Sequence, residues 1–174
     1  MRQQGRATIM RTTRRFALFG LLTAALSACG SKLRNYRGPD VTRVVVLKEK
    51  RKMYLLNGNR ALRSYDIDLG FAPTGDKKLE GDGKTPEGHY RIDRRNPNSR
   101  FHLSIGIDYP NARDVAEARA LGQEPGGDIF IHGEGTAVSR LKPDWTWGCI
   151  AVKNDEIEEI YAMVRDGTVV SIFR

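Results

Sequence analysis

This chain of 174 residues lacks the sequence features that indicate several functional classes. No stretch combines dense lysine and arginine with interleaved aromatic residues, so we do not expect nucleic-acid binding. The apolar run at residues 16–28 is shorter than the roughly 20 residues that a transmembrane helix needs. Cysteine is also scarce, with two residues in the whole chain. The length excludes two large domains.

Metal binding is a further class that the sequence does not favour. The candidate zinc ligands are His89, His102, His132 and Cys149. No two of them lie at the close spacing that is typical of zinc ligand pairs. We therefore expect no metal site.

The composition that is present indicates a folded, exported protein. Hydrophobic residues make up 40% of the chain and charged residues 29%, which is ordinary for a globular domain. The formal net charge is +8, and five of these charges are arginines in residues 1–28, which contain no acidic residue. The basic character therefore belongs largely to the N-terminus.

Residues 1–28 have the design of a secretory signal peptide. A positive leader precedes the apolar run Phe16–Ala28, which is typical of such signals. The segment Leu26-Ser27-Ala28-Cys29 then resembles the lipobox of bacterial lipoproteins, which implies lipidation of Cys29 and a membrane anchor. The alternatives are an ordinary cleavage site near an incidental Cys29, or an amphipathic N-terminal helix.

The two cysteines have different expected fates. If Cys29 is acylated, it cannot form a disulfide with Cys149, although an oxidising compartment would otherwise allow that bond. Cys149 is then a lone thiol in an exported protein, which marks it as a candidate reactive group. Residues 29–40 are polar and predict a short tether before a domain at 41–174.

The domain is predicted to be mostly β with a few short helices, as a sandwich or barrel-like fold. A helix is expected at 111–121, ended by Gly122, and a second one is expected to be capped by Asp155 and followed by Gly167 as its C′ residue. Apolar patterning predicts the strands at 41–47, 53–56, 61–69, 89–92, 101–107, 128–132 and 168–173.

The chemistry is expected at the end of the strand that contains His132. Cys149 follows 17 residues later and comes directly after Gly148. An imidazole can take a thiol proton or hold a thiolate–imidazolium pair, which lowers the pKa of the thiol. Gly148 permits a backbone shape in which amides converge, so the amides of Gly148 and Cys149 are candidate oxyanion donors.

These residues resemble the catalytic domain of the L,D-transpeptidase (YkuD) family. His132-Gly133 and Thr146-Trp147-Gly148-Cys149 fit the family's paired motifs, and Lys84-Thr85-Pro86-Glu87-Gly88 is similar to its Thr-Pro-x-Gly strand entry. The resemblance covers residues 41–174. It implies a β-rich domain with an active-site groove and no metal or organic cofactor.

The resemblance also implies roles. Cys149 would be the nucleophile, His132 the general acid and base, and Gly133 the residue whose backbone orients the imidazole. The substrates would be peptidoglycan peptide stems in the periplasm. One stem would form a thioester with Cys149, and the side-chain amine of a second stem would then take over its acyl group. Water in place of the acceptor amine would make the enzyme a hydrolase that trims stems or releases wall-linked protein. A wall-binding module without catalysis is the alternative of another class.

Two positions depart from the common family pattern. Trp147 stands where many members have histidine, and Ala151 stands where many have arginine. Both border the substrate groove in the family, so the acceptor and the outcome of the reaction are left open. Thr146, Trp147 and Tyr109 are further candidates for substrate contact. The alternative is that the tryptophans of this loop pack it and that Tyr109 stabilises a turn.

Overall fold

The computed structural model describes residues 31–135 and 142–174. The predicted signal peptide at 1–28 and the lipidation site Cys29 lie outside these residues. The described chain forms one compact unit from Lys32 onward. Part of the predicted tether is therefore docked on the domain: Arg34 forms an ion pair with Glu158, and Tyr36 packs against the core.

The described residues contain eight strands and two helices. The predicted fold, mostly β with a few short helices, is confirmed. The elements in chain order are β1 Arg43–Leu47, β2 Lys52–Asn57, β3 Arg60–Asp66, β4 Gly88–Asn96, β5 Ser104–Ile107, α1 Ala112–Ala120, β6 Phe130–His132, β7 Ile150–Ala151, α2 Asn154–Met163 and β8 Val169–Phe173.

The strands form one curled sheet in the order β3-β2-β1-β8-β4-β5-β6-β7. Neighbouring strands are antiparallel, except that β1 pairs with β8 and β6 pairs with β7 in parallel. The chain that leaves β3 at one edge bridges to the region of β7 at the other edge, through Asp68 with Ala151 and Gly70 with Thr146. The sheet therefore curls until its two edges are connected.

The buried core follows the two-residue period of the strands. In β1, Val44 and Val46 are fully buried, whereas Arg43 is exposed and Val45 is half-buried. Helix α2 adds Ile157 and Ile160 to the same core. Each of these isoleucines stabilises the fold by about 1.5–3 kcal/mol through burial. The packing of α2 helps to fix β5 and β6.

Several predicted boundaries are wrong by a few residues, for local reasons. Helix α2 begins at Asn154, because the amide of Lys153 is capped by the carboxylate of Glu156 at 2.9 Å. Asp155 is therefore inside the helix and is not its N-cap. The helix ends before Val164, so Gly167 lies in the following turn and not at C′.

Two strands also begin later than the apolar pattern indicates. β5 begins at Ser104 instead of 101, because His102 has φ +74 and turns the chain. β6 begins at Phe130 instead of 128, because Asp128 has φ +57. Both turns bring residues to one cavity. Neither α1 nor α2, the helices of the described part, is long and apolar enough to cross a membrane.

Candidate active site

His132 and Cys149 lie on adjacent, parallel segments of the sheet. His132 is the last residue of β6 and pairs with Ala151 of β7, whereas Cys149 directly precedes β7. Side chains alternate between the two faces of a strand. Because Ile131 pairs with Ile150, His132 and Cys149 project from the same face of the sheet. The fold thus brings together two residues that are 17 positions apart in sequence.

The two side chains line one open cavity of about 350 Å³. Phe130 and Asp128 also line this cavity, and both hydrogen-bond to the sulfur of Cys149. The rest of the lining comes from Ser104, from the end of β4 and from the connection between β4 and β5, with the residues Asn96, Asn98, Ser99, Arg100 and Phe101. A peptide that enters the cavity would contact both the thiol and the imidazole.

The imidazole of His132 has a fixed orientation. Its Nδ1 lies 2.6 Å from the carbonyl oxygen of Gly133, which is the backbone contact expected from the sequence. A carbonyl only accepts hydrogen bonds, so Nδ1 carries the proton and Nε2 of the neutral ring has a free lone pair. The ring is stacked on Phe101 and meets the edge of Trp145. His132 can therefore take up a proton at Nε2.

Burial keeps His132 neutral. The side chain is 2% exposed, and this burial lowers the pKa of His132, opposed by the hydrogen bond to Gly133. The carbonyl of Gly133 would stabilise the ring if it became charged. At neutral pH the free protein thus has an unprotonated base at this position.

Cys149 is partly buried and carries its proton in the free protein. The sulfur accepts a hydrogen bond from the amide of Phe130 at 3.4 Å and donates one to the carbonyl of Asp128 at 3.5 Å. Burial raises the pKa of the Cys149 thiol. This direction is opposite to the lowering that a neighbouring imidazolium would cause. Both directions favour a thiol beside a neutral imidazole over a thiolate–imidazolium pair.

Gly148 fits its position for steric reasons. Its φ is +125, and a Cβ built on it would lie 2.6 Å from the carbonyl oxygen of Lys84. Only glycine combines this conformation with such a close backbone approach. Its amide, however, donates to Oγ1 of Thr146 at 3.2 Å. This bond occupies the amide of Gly148 in the free protein, so of the two proposed oxyanion donors the amide of Cys149 is the better candidate.

Two of the three residues that the sequence predicts to contact substrate have other surroundings. Thr146 is buried and its hydroxyl donates to the carbonyl of Cys149 at 2.8 Å, so it braces the loop from inside. Tyr109 is 3% exposed and donates to the carbonyl of Pro125 at 3.0 Å. Neither lines the cavity. Both expectations are corrected, because internal hydrogen bonds occupy these side chains.

Trp147 lies on the surface and not in the cavity wall. It is 74% exposed, and its ring meets that of Phe71 edge to face at 5.0 Å. Ala151 is buried, and its amide and carbonyl both bond to Asp68 at 2.9 Å. The two departures from the family pattern thus fall at one exposed and one fully enclosed position.

The Thr-Pro-x-Gly segment, Lys84–Gly88, packs against the loop that carries Cys149. Lys48 is 2% exposed, and its ammonium donates to the carbonyl of Thr85 at 2.8 Å and to Glu87 at 2.9 Å. The hydroxyl of Thr85 accepts the amide of Gly70 at 3.1 Å. These bonds fix the backbone against which Gly148 packs.

The other histidines are occupied elsewhere. His89 bonds to Ser171 at 3.0 Å, and His102 bonds to Glu158 at 2.7 Å. Within residues 31–135 and 142–174, no group of three histidine, cysteine or acidic side chains is placed to hold a metal ion.

The sequence pattern missed two parts of the site. The apolar pattern predicts Phe101 to be a strand residue, but the local turn at His102 places its ring on His132. Asn154 was given no role, yet its side-chain amide bonds to both the carbonyl and the amide of Gly135, at 2.9 and 3.0 Å. It thereby holds the segment after His132. No sequence signal marks either residue, because both act through long-range contacts.

Comparison with known proteins agrees with this geometry. The model of the L,D-transpeptidase catalytic domain (YkuD) matches residues 41–172. The chain is 35% identical over 127 residues to Escherichia coli (strain K12) YafK, which is described only provisionally as an L,D-transpeptidase; the match covers 70% of this chain and 46% of that protein. The chain thus spans about half the length of the curated relatives it matches.

Two solved structures illustrate the similarity of the fold. The helical cell shape determining protein Pgp2 from Campylobacter jejuni is 28% identical, with a TM-score of 0.61, over 82% of this chain and 50% of that one. L,D-transpeptidase 1 from Mycobacterium tuberculosis is 13% identical, with a TM-score of 0.50, over 78% of this chain and 62% of that one. The latter similarity concerns the fold alone.

Proposed function

The chain belongs to the L,D-transpeptidase catalytic-domain (YkuD) family, and from that membership we propose that it is a cysteine acyltransferase of the bacterial cell envelope that acts on peptidoglycan peptide stems. The observation that carries the proposal is the shared cavity of Cys149 and His132. The relatives that it matches are longer, so its substrate is proposed from the family of this domain and not from their whole-chain activities.

The first step forms a thioester. Substrate binding removes the thiol proton from the carbonyl of Asp128, and Nε2 of His132 accepts it while the sulfur attacks the carbonyl that precedes a D-amino acid. The C–N bond breaks and the imidazolium returns the proton to the leaving amine. The amide of Cys149 is the proposed donor to the oxygen that becomes negatively charged.

The second step transfers the acyl group. The side-chain amine of another stem attacks the thioester, His132 takes its proton, and the thiol is regenerated. The same base can activate water, which gives a hydrolysed stem. Because the imidazole is neutral before both attacks, the cycle needs no thiolate in the free protein. Gly133 keeps Nδ1 protonated throughout and thus holds the reactive tautomer.

The location of the protein is proposed from residues 16–29. Export by the signal peptide and lipidation of Cys29 would place the domain on a membrane in the periplasm. Cells that express the full chain should incorporate labelled palmitate into it, and Cys29→Ser should abolish the label. Retention of the label in that variant would show that another residue carries the lipid.

The reaction is tested with the full chain and defined tetrapeptide muropeptides. Product masses should show a cross-link or an exchanged amino acid, and Cys149→Ala should remove all turnover. A stem that has only lost a residue to water would assign the hydrolytic outcome. Turnover that persists in Cys149→Ala would reject the proposal. Binding to sacculi without turnover in the wild type would point to a wall-binding module.

A further inference from the structure

Two aromatic rings enclose the imidazole of His132. The ring of Phe101 is stacked on it, with centroids 4.4 Å apart and planes 26° apart. Trp145 meets it at 5.6 Å and 65°, and lies 5.7 Å from Phe101. The imidazole is thus packed face to face against Phe101 and edge to face against Trp145, while the carbonyl of Gly133 holds Nδ1.

The position of Phe101 is built by its own loop. Its amide donates to the hydroxyl of Ser99 at 3.1 Å, and its carbonyl accepts the amide of Leu103 at 3.0 Å. A Cβ on Gly133 would lie 2.8 Å from that carbonyl, so the loop and the His132 segment are in direct contact. Phe101 remains 37% exposed, which leaves a large apolar ring at the cavity instead of in the core.

The proposed reaction requires a positive charge at this position. When Nε2 takes the thiol proton, the buried ring becomes an imidazolium, and burial disfavours that form. The face of an aromatic ring attracts a cation, and the attraction is stronger where water is excluded. Phe101 is stacked face to face on His132 with centroids 4.4 Å apart, whereas the centroid of Trp145 lies farther away, at 5.6 Å. Phe101 is therefore the better placed ring to offset the cost.

Other charged groups near the imidazole are the same in the wild type and in a Phe101 variant. The ionisable side chains that share its cavity are Cys149, Asp128 and Arg100, and Glu134 follows Gly133 on the same segment. Asp128 is already paired with Arg94 at 3.4 Å. A substitution at Phe101 leaves all of these groups unchanged, so its effect reports on the ring.

We propose that Phe101 is a positioning residue for His132, whose ring face fixes the imidazole plane and stabilises the imidazolium. The catalytic part of this inference rests on the proposed function. The effect of the ring on the ionisation of His132 does not rest on it and can be measured without any substrate.

The first test is a histidine titration by NMR. The chain has three histidines, so three Hε1 signals are expected, and His132→Asn assigns the one of interest. Phe101→Leu keeps an apolar side chain but removes the π face, and the pKa of His132 should fall. Phe101→Tyr keeps the face and should leave it unchanged.

A matched control is available at Phe173, which is 44% exposed and meets His89 edge to face at 5.8 Å. Phe173→Leu should leave the titration of His132 as in the wild type. An unchanged or raised pKa of His132 in Phe101→Leu would overturn the proposal, because loss of packing alone would admit water. If that variant does not fold, Phe101→Met takes its place, with the same two readings.

The second test measures acylation of Cys149 by a carbapenem. The limiting first-order rate in Phe101→Leu should fall about 5- to 30-fold, which corresponds to the loss of a desolvated cation–π contact. The acidic limb of the pH–rate profile should move to lower pH. A lower rate with an unmoved limb would show a merely structural role. If the wild type itself is not acylated, the proposed function fails while the titration still decides this inference.

Discussion

Replacement of Gly148 by alanine should destabilise the domain without removing any reacting group. Residues other than glycine pay about 1–3 kcal/mol in so sparsely populated a backbone conformation, and φ at Gly148 is +125. The added Cβ would also lie 2.6 Å from the carbonyl oxygen of Lys84 and 3.1 Å from Ile129. Relief of such overpacking costs about 1–3 kcal/mol more. We expect the free energy of unfolding to fall by about 4 kcal/mol.

The matched control for this variant is Gly58→Ala. Gly58 also has a positive φ, +57, but no atom lies within 4 Å of a Cβ built on it. The left-handed conformation alone costs about 1–2 kcal/mol, so this variant should lose clearly less stability. Urea denaturation followed by circular dichroism measures both. Equal losses in the two variants would refute the argument that the backbone of Lys84 limits position 148.

Three further predictions concern buried or titrating groups. Lys48→Met should lower the free energy of unfolding by about 3 kcal/mol because buried acceptors lose their cation, whereas Lys52→Met, at an exposed pair, should change urea stability little. Burial alone would raise the pKa of Glu158, but hydrogen bonds from His102 and Arg34 lower it. Glu158→Gln should therefore be less stable than the wild type at pH 7, by at most about 1 kcal/mol, and this difference should vanish as acid protonates the carboxylate. A stability gap that persists at pH 2 would contradict this sign. Burial raises the pKa of Cys149 above the ordinary thiol value of about 8.5. Alkylation of Cys149 by iodoacetamide should therefore still accelerate above about pH 8.5, as measured by mass with Cys149→Ala as the blank. A rate that reaches its plateau below pH 7 would show a thiolate–imidazolium pair instead.

The sequence predicted the fold class and the candidate reacting pair best where a short motif fixes both the reactive side chain and the backbone around it. The order of His132, Gly133, Gly148 and Cys149 predicted the family, and the resemblance implied a backbone contact between Gly133 and the imidazole, which the structure shows from Nδ1 to the carbonyl. The mostly β fold followed from short β-branched runs separated by turns. These features depend on residues that are close in sequence, or on a motif whose order is fixed.

The differences between sequence and structure share a physical cause. The sequence offers the amide of Gly148 and the hydroxyl of Thr146 to substrate, but in the free protein the amide donates to that hydroxyl inside the loop. Tyr109 was placed near substrate, but the curled sheet buries it. Phe101 was read as part of a strand, although the turn at His102 carries it to His132. Such pairings depend on tertiary contacts, which one-dimensional spacing does not contain.

The most direct test of the central claim is the intact mass of the full chain after incubation with a carbapenem. The wild type should gain the mass of one acyl group, the folded variant Cys149→Ala should gain none, and His132→Asn should gain it far more slowly. An equal adduct in Cys149→Ala, or an adduct rate in His132→Asn that matches the wild type, would contradict the assignment of this thiol and this imidazole as the reacting pair.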